Sequence, residues 1–324
     1  MNRSLRMLGV LAAVSALYSG GAAAQAGGYP SRPIRMINPY APGGAVDIIA
    51  RTFAQKLNEP LGQSLIVDNR PGAGTNIGTE MVVRATPDGY TILLTSAVIA
   101  TNVSLYKLPF DPVRDLTPIA QPVQAPFVVA IHPAVAAKNM PEFLKLARNR
   151  GAEMSFASAG AGTTTHLMFE LMKSMAKFSM VHVPYKGGAP ALNAVVSGEV
   201  QMSIIPVTIV MPQAKAGRVR ALAVTSVKRL EQFPEVPTVA ESGLPGYDPI
   251  GWYAFFAPAG TPRPIVMKLN TEINRVLQQN DVKERFLANG MFPVAGPPEA
   301  LRDHLKSEIM RWSAVIKSAG IQPE

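Results

Sequence analysis

The chain has 324 residues, 48% of them hydrophobic and 16% charged, with 29 prolines, 26 glycines and no cysteine. Such a chain can bury a full core and suits two modest α/β domains; its composition excludes a disordered chain, a fibre and a coiled coil, and the missing cysteine excludes disulfides, thiolate metal sites and a lipidated cysteine anchor. The formal net charge of +9 invites a nucleic-acid reading, but Lys145, Arg148, Lys173, Lys177, Lys268, Lys306 and Arg311 are scattered singly along predicted helices, so no nucleic-acid partner is expected and the positive field suits the steering of small anions.

Residues 1–26 carry Arg3 and Arg6, an apolar run too short to span a membrane, and the small-residue sites Ala24 and Ala26. This reads as a secretory signal peptide cleaved near Ala24 or Ala26, with the mature protein free in the periplasm. From 32 to 40 an apolar strand runs into Asn38-Pro-Tyr-Ala-Pro-Gly-Gly-Ala45, and Val46, Ile49, Ala50, Phe53 and Leu57 recur at helical spacing. A strand over 64–68, a helix over 77–85, a turn at Pro87-Asp-Gly89 and a buried strand over 90–95 follow. The alternation predicts a doubly wound sheet with ligands at the C-terminal ends of its strands.

Strands over 116–123 and 127–131 lack an intervening helix, which marks a crossing into a second α/β unit. That unit reads as helix 141–150, strand 154–157, helix 163–175, strand 180–183, helix 189–197, strand 200–205, a helix near 210–215 and strand 219–225. A Pro- and Gly-rich loop over 233–249 leads to an aromatic strand, 252–257, as the return crossing. Thr261 is placed to cap a helix with Pro262 at its first position, and helices over 264–279, 281–289 and 299–317 close the chain. The expected fold is α/β and two-lobed, with 27–125 plus 250–324 as one domain, 126–249 as the other, and a cleft spanned by a two-crossing hinge.

Three strand-to-helix junctions are rich in glycine: the one at Gly43 and Gly44, Ser158-Ala-Gly-Ala-Gly-Thr-Thr-Thr-His166, and Val183-Pro-Tyr-Lys-Gly-Gly188. The first amides of a helix have no internal acceptor and carry the positive end of the macrodipole, so each junction can hold an anion without a charged side chain. Asp47, in the first turn after the first junction, reads as structural because it would repel an anion, and Arg70 as a tie for its own Pro-Gly loop. No Gly-x-Ser-x-Gly elbow or His-Glu-x-x-His pair occurs, the four histidines lack metal-like spacing, and Gly72-Ala-Gly74 is at most half a dinucleotide fingerprint. No catalytic residue, metal or cofactor is expected.

Tyr29-Pro-Ser-Arg-Pro-Ile34, Pro42-Gly-Gly44 with Asp47 and Arg51, Asn69-Arg-Pro-Gly-Ala-Gly74, Pro87-Asp-Gly-Tyr90, Gly160-Ala-Gly-Thr-Thr-Thr-His166, Tyr185-Lys-Gly-Gly-Ala-Pro190 and Val236-Pro-Thr-Val-Ala-Glu-Ser-Gly243 occur in order along the chain. With the stretch from Trp252 to Pro262, they resemble the solute-binding proteins of tripartite tricarboxylate transporters, the Bug proteins, which have the type II periplasmic binding fold. The resemblance implies a monomer that captures a small carboxylate between its lobes and delivers it to a membrane permease of the tripartite tricarboxylate transporter type. It places one half of the site at Tyr40, Ala41, Gly43, Gly44, Ala45, Thr95 and Ser96. The other half would be Ala161, Gly162, Thr163, Thr164, Thr165 and His166, with Tyr185, Lys186, Gly187 and Gly188. Where many members have a Phe-Asp-Asn-like segment this chain has Ser203-Ile-Ile-Pro206, which argues against an amino-acid ligand and for a di- or tricarboxylate or an aromatic acid. A receptor that signals to a membrane sensor and an enzyme on the same two-lobed fold remain the alternatives.

Overall fold

The computed structural model describes residues 28–322, so the expected signal segment lies outside the described residues. The first sheet starts from three parallel strands, β1 (Ile34–Asn38), β2 (Leu65–Asn69) and β3 (Thr91–Ser96), connected by α1 (Ala45–Leu61) and α2 (Asn76–Val83). Ile92, Leu93 and Leu94 are all fully buried, as befits a strand covered on both faces. In α1 the apolar stripe of Val46, Ile49, Ala50, Phe53 and Leu57 is buried as its spacing predicts, and the helix stops at Gly62 in the left-handed conformation.

A helix that the sequence reading did not find, α3 (Val98–Leu105), follows β3, and β4 (Leu116–Ala125) then hands the chain directly to β5 (Phe127–Ile131) in the second sheet. The second unit continues through α4 (Met140–Arg150), β6 (Ser155–Ser158), α5 (Thr164–Ala176), β7 (Val181–Pro184) and α6 (Gly188–Val196). It ends with β8 (Met202–Pro206), α7 (Val207–Lys215) and β9 (Arg220–Val224). The chain returns as β10 (Gly251–Pro258), then α8 (Arg263–Val276), α9 (Asn280–Ala288), a short β11 (Phe292–Pro293) and α10 (Pro298–Ala319). Thr261 is not the cap of α8: Pro262 holds that position, and the Thr261 hydroxyl donates to the Pro258 carbonyl at 2.8 Å, closing the preceding turn instead.

The six-stranded sheet runs β11-β4-β10-β3-β1-β2 and the five-stranded sheet β7-β6-β8-β5-β9. Each has a parallel trio with the earliest strand in the middle, joined by one antiparallel strand that comes from a crossing: β10 lies antiparallel to β3 and β4, and β5 lies antiparallel to β8 and β9. One apolar cluster continues through both units, from Leu93 and Trp252 to Phe156 and Phe169, with Trp312 of α10 among its members. Among the described residues no helix is long and apolar enough to cross a membrane.

Candidate functional site

The C-terminal end of β1 leads into a loop that its own side chains hold in place. Gly43 adopts a positive φ of 90°, and its amide donates to the Asp47 carboxylate at 3.1 Å. Asp47 also accepts from Arg51 Nε (2.8 Å) and Asn69 Nδ2 (3.3 Å), while Asn69 Nδ2 donates to the Tyr40 carbonyl (2.9 Å). Burial pushes the Asp47 carboxyl up, but the hydrogen bonds from Arg51, the Gly43 amide and Asn69 outweigh it and leave the carboxyl below its usual range. Asp47 is therefore an ionised brace for the loop, and Arg70, read above as a tie for its own loop, instead pairs with Asp68 at 2.9 Å. With Gly43 bonded, the amides at the start of α1 remain the donors without an intrahelical acceptor.

Those amides border a cavity of about 240 Å³ lined by Tyr40, Gly44, Ala45, Val46, Ser96, Ala97, Phe127, Thr164, Gly251, Trp252 and Tyr253. The Tyr40 and Ser96 hydroxyls lie 2.5 Å apart. Burial raises the Tyr40 pKa above its ordinary value, and burial together with Tyr40 pushes Tyr253 up to about 12, so both phenols stay neutral hydrogen-bonding groups. The cavity thus combines a helix start, three kinds of hydroxyl and aromatic rings, with no cationic side chain in its wall.

Across the cavity stands the loop from β6 to α5. Most of its polar groups are bonded within it: the Ala159 amide donates to Thr165 Oγ1 (2.8 Å), the Gly162 amide to His166 Nδ1 (3.0 Å), and the Thr163 hydroxyl to the Gly160 carbonyl (2.7 Å). Beneath the loop the His166 and His182 rings stack 3.9 Å apart, and His182 Nε2 lies 2.6 Å from Ser158 Oγ, whose hydroxyl also meets the Gly160 backbone. Burial, then the positive charge of Lys173, holds His166 down to about 4; burial, then His166, does the same for His182. Both imidazoles are neutral near pH 7, as the acceptor role of His166 Nδ1 requires. Thr164 faces the cavity, and behind it are the first amides of α5.

Of the residues expected at the site, Tyr40, Gly44, Ala45, Ser96 and Thr164 are brought together around this cavity. Ala41 and Ala161 are exposed at the loop tips and Thr95 is fully buried in β3. Gly43, Gly162, Thr163, Thr165 and His166 line no part of it and support the loops as described. At the third junction the Tyr185 hydroxyl donates to Glu199 at 2.8 Å, Lys186 is exposed, the Gly187 amide donates to the Ala159 carbonyl at 3.1 Å, and Gly188 starts α6; none of these four lines the cavity. Val46, Ala97, Phe127, Gly251, Trp252 and Tyr253 were not foreseen: Val46 and Ala97 flank the helix starts with apolar side chains, and the other four lie in β5 and β10, whose place at the crossings was the signal that could have found them.

A larger cavity, about 730 Å³, adjoins the same crossings but uses Pro126 and Ile250 where the smaller one uses Phe127 and Gly251. The larger one shares no lining residue with the smaller. Its walls carry Lys228, Arg229, Glu231, Asp248, His304, Glu308 and Arg311 and none of the glycine loops.

Comparison with known proteins fits this geometry. The signature of the tripartite tricarboxylate transporter family receptor (TctC) matches residues 49–321. A Pseudomonas protein described as the UPF0065 protein in the tcbD-tcbE intergenic region is 42% identical over 290 residues, covering 89% of this chain and 86% of its own. Among solved structures, an R. palustris protein with adipate is 34% identical and superposes with a TM-score of 0.75, over 91% of this chain and 100% of its own. A TctC solute-binding protein from Polaromonas, without ligand, is 26% identical and superposes with a TM-score of 0.83, over 90% of this chain and 99% of its own. The fold is the two-lobed α/β fold of type II periplasmic binding proteins, and the chain belongs to the tripartite tricarboxylate transporter receptor family.

Proposed function

We propose that the protein is a periplasmic solute-binding receptor that takes a small carboxylate into the cavity between its lobes and delivers it to a tripartite tricarboxylate transporter permease. The observation that carries this reading is that Thr164, at the start of α5, lines the same cavity as Gly44 and Ala45, at the start of α1. Two helix N-termini aimed at one volume favour an anion, and hydroxyls of Tyr40, Ser96 and Thr164 supply further donors. A carboxylate held from both sides stabilises the closed arrangement only, so differential affinity drives closure.

In this reading residues 27–125 with 250–324 form one lobe and 126–249 the other, hinged where β4 passes into β5 and where the chain enters β10. Adipate in the R. palustris relative supports the ligand class. Ile205, fully buried in β8, offers no partner for an ammonium group, which favours a di- or tricarboxylate or an aromatic acid over an amino acid. Capture without chemistry is the simplest use of the site, since its loop hydroxyls and histidines are engaged in holding the backbone.

Thermal unfolding of the protein with adipate, malate, succinate, citrate, benzoate and glutamate tests the reading. At least one of the acids lacking an ammonium should raise the melting temperature by mass action, glutamate should do so less, and none should be consumed. Failure of every acid to shift the transition would remove the carboxylate reading; a glutamate shift above all others would remove the ligand-class part of it.

A further inference from the structure

Glu308 is 2% exposed on α10, remote in sequence from every residue of the ligand loops. The chain has two tryptophans, and both donate their indole N–H to the same Glu308 oxygen: Trp252 Nε1 at 3.2 Å and Trp312 Nε1 at 2.9 Å from Oε2. Arg311 reaches the other oxygen at 3.2 Å and, with its second nitrogen, Asp248 at 2.8 Å just ahead of β10. The His304 ring stands edge-on to Trp252 with centroids 5.2 Å apart. A carboxylate buried this deeply costs desolvation energy, which here is offset by its pairing with Arg311 and by two buried indole N–H groups that need an acceptor.

Trp252 sits between Gly251 and Tyr253 in the hinge strand, and all three contribute to the wall of the 240 Å³ cavity. Glu308 itself lines only the larger cavity. We propose that Glu308 is a positioning residue of the ligand site: by gripping Trp252 from behind it fixes the stretch Gly251–Tyr253 of the hinge strand, and so sets the wall against which the acid is held. Arg311 and Asp248 extend that grip to the segment that enters the hinge. This inference rests on the reading of the small cavity as the carboxylate site.

A double-mutant cycle on the full mature chain tests it, with adipate as the probe and benzoate if adipate does not bind. Glu308→Gln should weaken acid binding roughly tenfold in the otherwise native protein but have little further effect in a Trp252→Phe background, because its influence passes through that indole. Asp248→Asn, at the more exposed end of the cluster, should give a smaller loss that Trp252→Phe likewise absorbs, and serves if Glu308→Gln does not fold. In a Trp312→Phe background, where Trp252 is the remaining indole, the acid should change the emission, and Glu308→Gln should shrink that change. Equal loss with and without Trp252, or no loss from Glu308→Gln or Asp248→Asn, overturns the positioning role while leaving the carboxylate site standing. Absence of binding by the native protein to any acid overturns the reading of the cavity and this inference with it.

Discussion

Gly43 stands at φ 90°, a conformation strained for a side chain, whereas Gly44 is extended and has nothing within 4 Å of the place a Cβ would occupy. Gly43→Ala should therefore lower unfolding free energy by about 1–2 kcal/mol, and Gly44→Ala should leave it unchanged. Gly44→Leu, by contrast, fills part of the cavity and should abolish most acid binding with the denaturant midpoint preserved. The threonines divide in the same way. Thr165→Val leaves the half-buried Ala159 amide without its acceptor and should cost about 1 kcal/mol of stability, read from urea unfolding. Thr164→Val should leave stability alone and weaken acid binding by about 1 kcal/mol, read by calorimetry. In the sequence the three threonines at this helix start look alike; only the fold of the loop, which leaves the Gly160 carbonyl in need of a donor and the Ala159 amide in need of an acceptor, assigns Thr163 and Thr165 to the backbone and leaves Thr164 for the cavity.

Among the elements, α5 and β7 are joined under the loop by the His166–His182 stack. Both rings titrate near 4 in the folded protein, below the ordinary value of 6.5. The unfolded chain binds more protons between those values, so the stability contributed is complete above pH 6.5 and is lost as pH falls toward 4. Unfolding free energy should drop by roughly 1–2 kcal/mol between pH 7 and pH 5, and His182→Gln should flatten that slope. The other elements differ in how openly the sequence announces them. The inner strands β1, β3, β6 and β8 and the helix α1 were legible because burial on both faces leaves apolar runs and burial on one face leaves a helical stripe. The helix α3 was not: Val98, Ile99, Thr101 and Val103 are β-branched and no side chain caps it, so it owes its form to packing against α10, with Ser104 Oγ 2.7 Å from Ser313 Oγ.

For the whole molecule, the alternation of elements and the two helix-free crossings made the two-sheet plan readable, and the glycine loops after β1 and β6 pointed to residues on both sides of the cavity, Gly44 and Ala45 on one and Thr164 on the other. The crossing strands β5 and β10 were located by the same reading, but their role in the wall was not assigned, since Phe127 and Trp252 look like any core residue until two distant stretches of chain are brought side by side. Closure on an acid should reduce the radius of gyration in solution scattering, and unchanged scattering at saturation would argue against a clamshell. Removal of Arg3 and Arg6 would leave a net charge of 9 − 2 = +7, so the association rate for a dianion should fall as salt is raised. The placement of β10 has a consequence for how the chain acquires its shape. This strand is interior to the first sheet, between β3 and β4, although every strand of the second sheet precedes it in sequence. Until residue 258 is available β3 keeps an open edge and β4 has no partner strand in this sheet, so a growing or truncated chain cannot join β4 to the parallel trio and leaves the first sheet in two pieces.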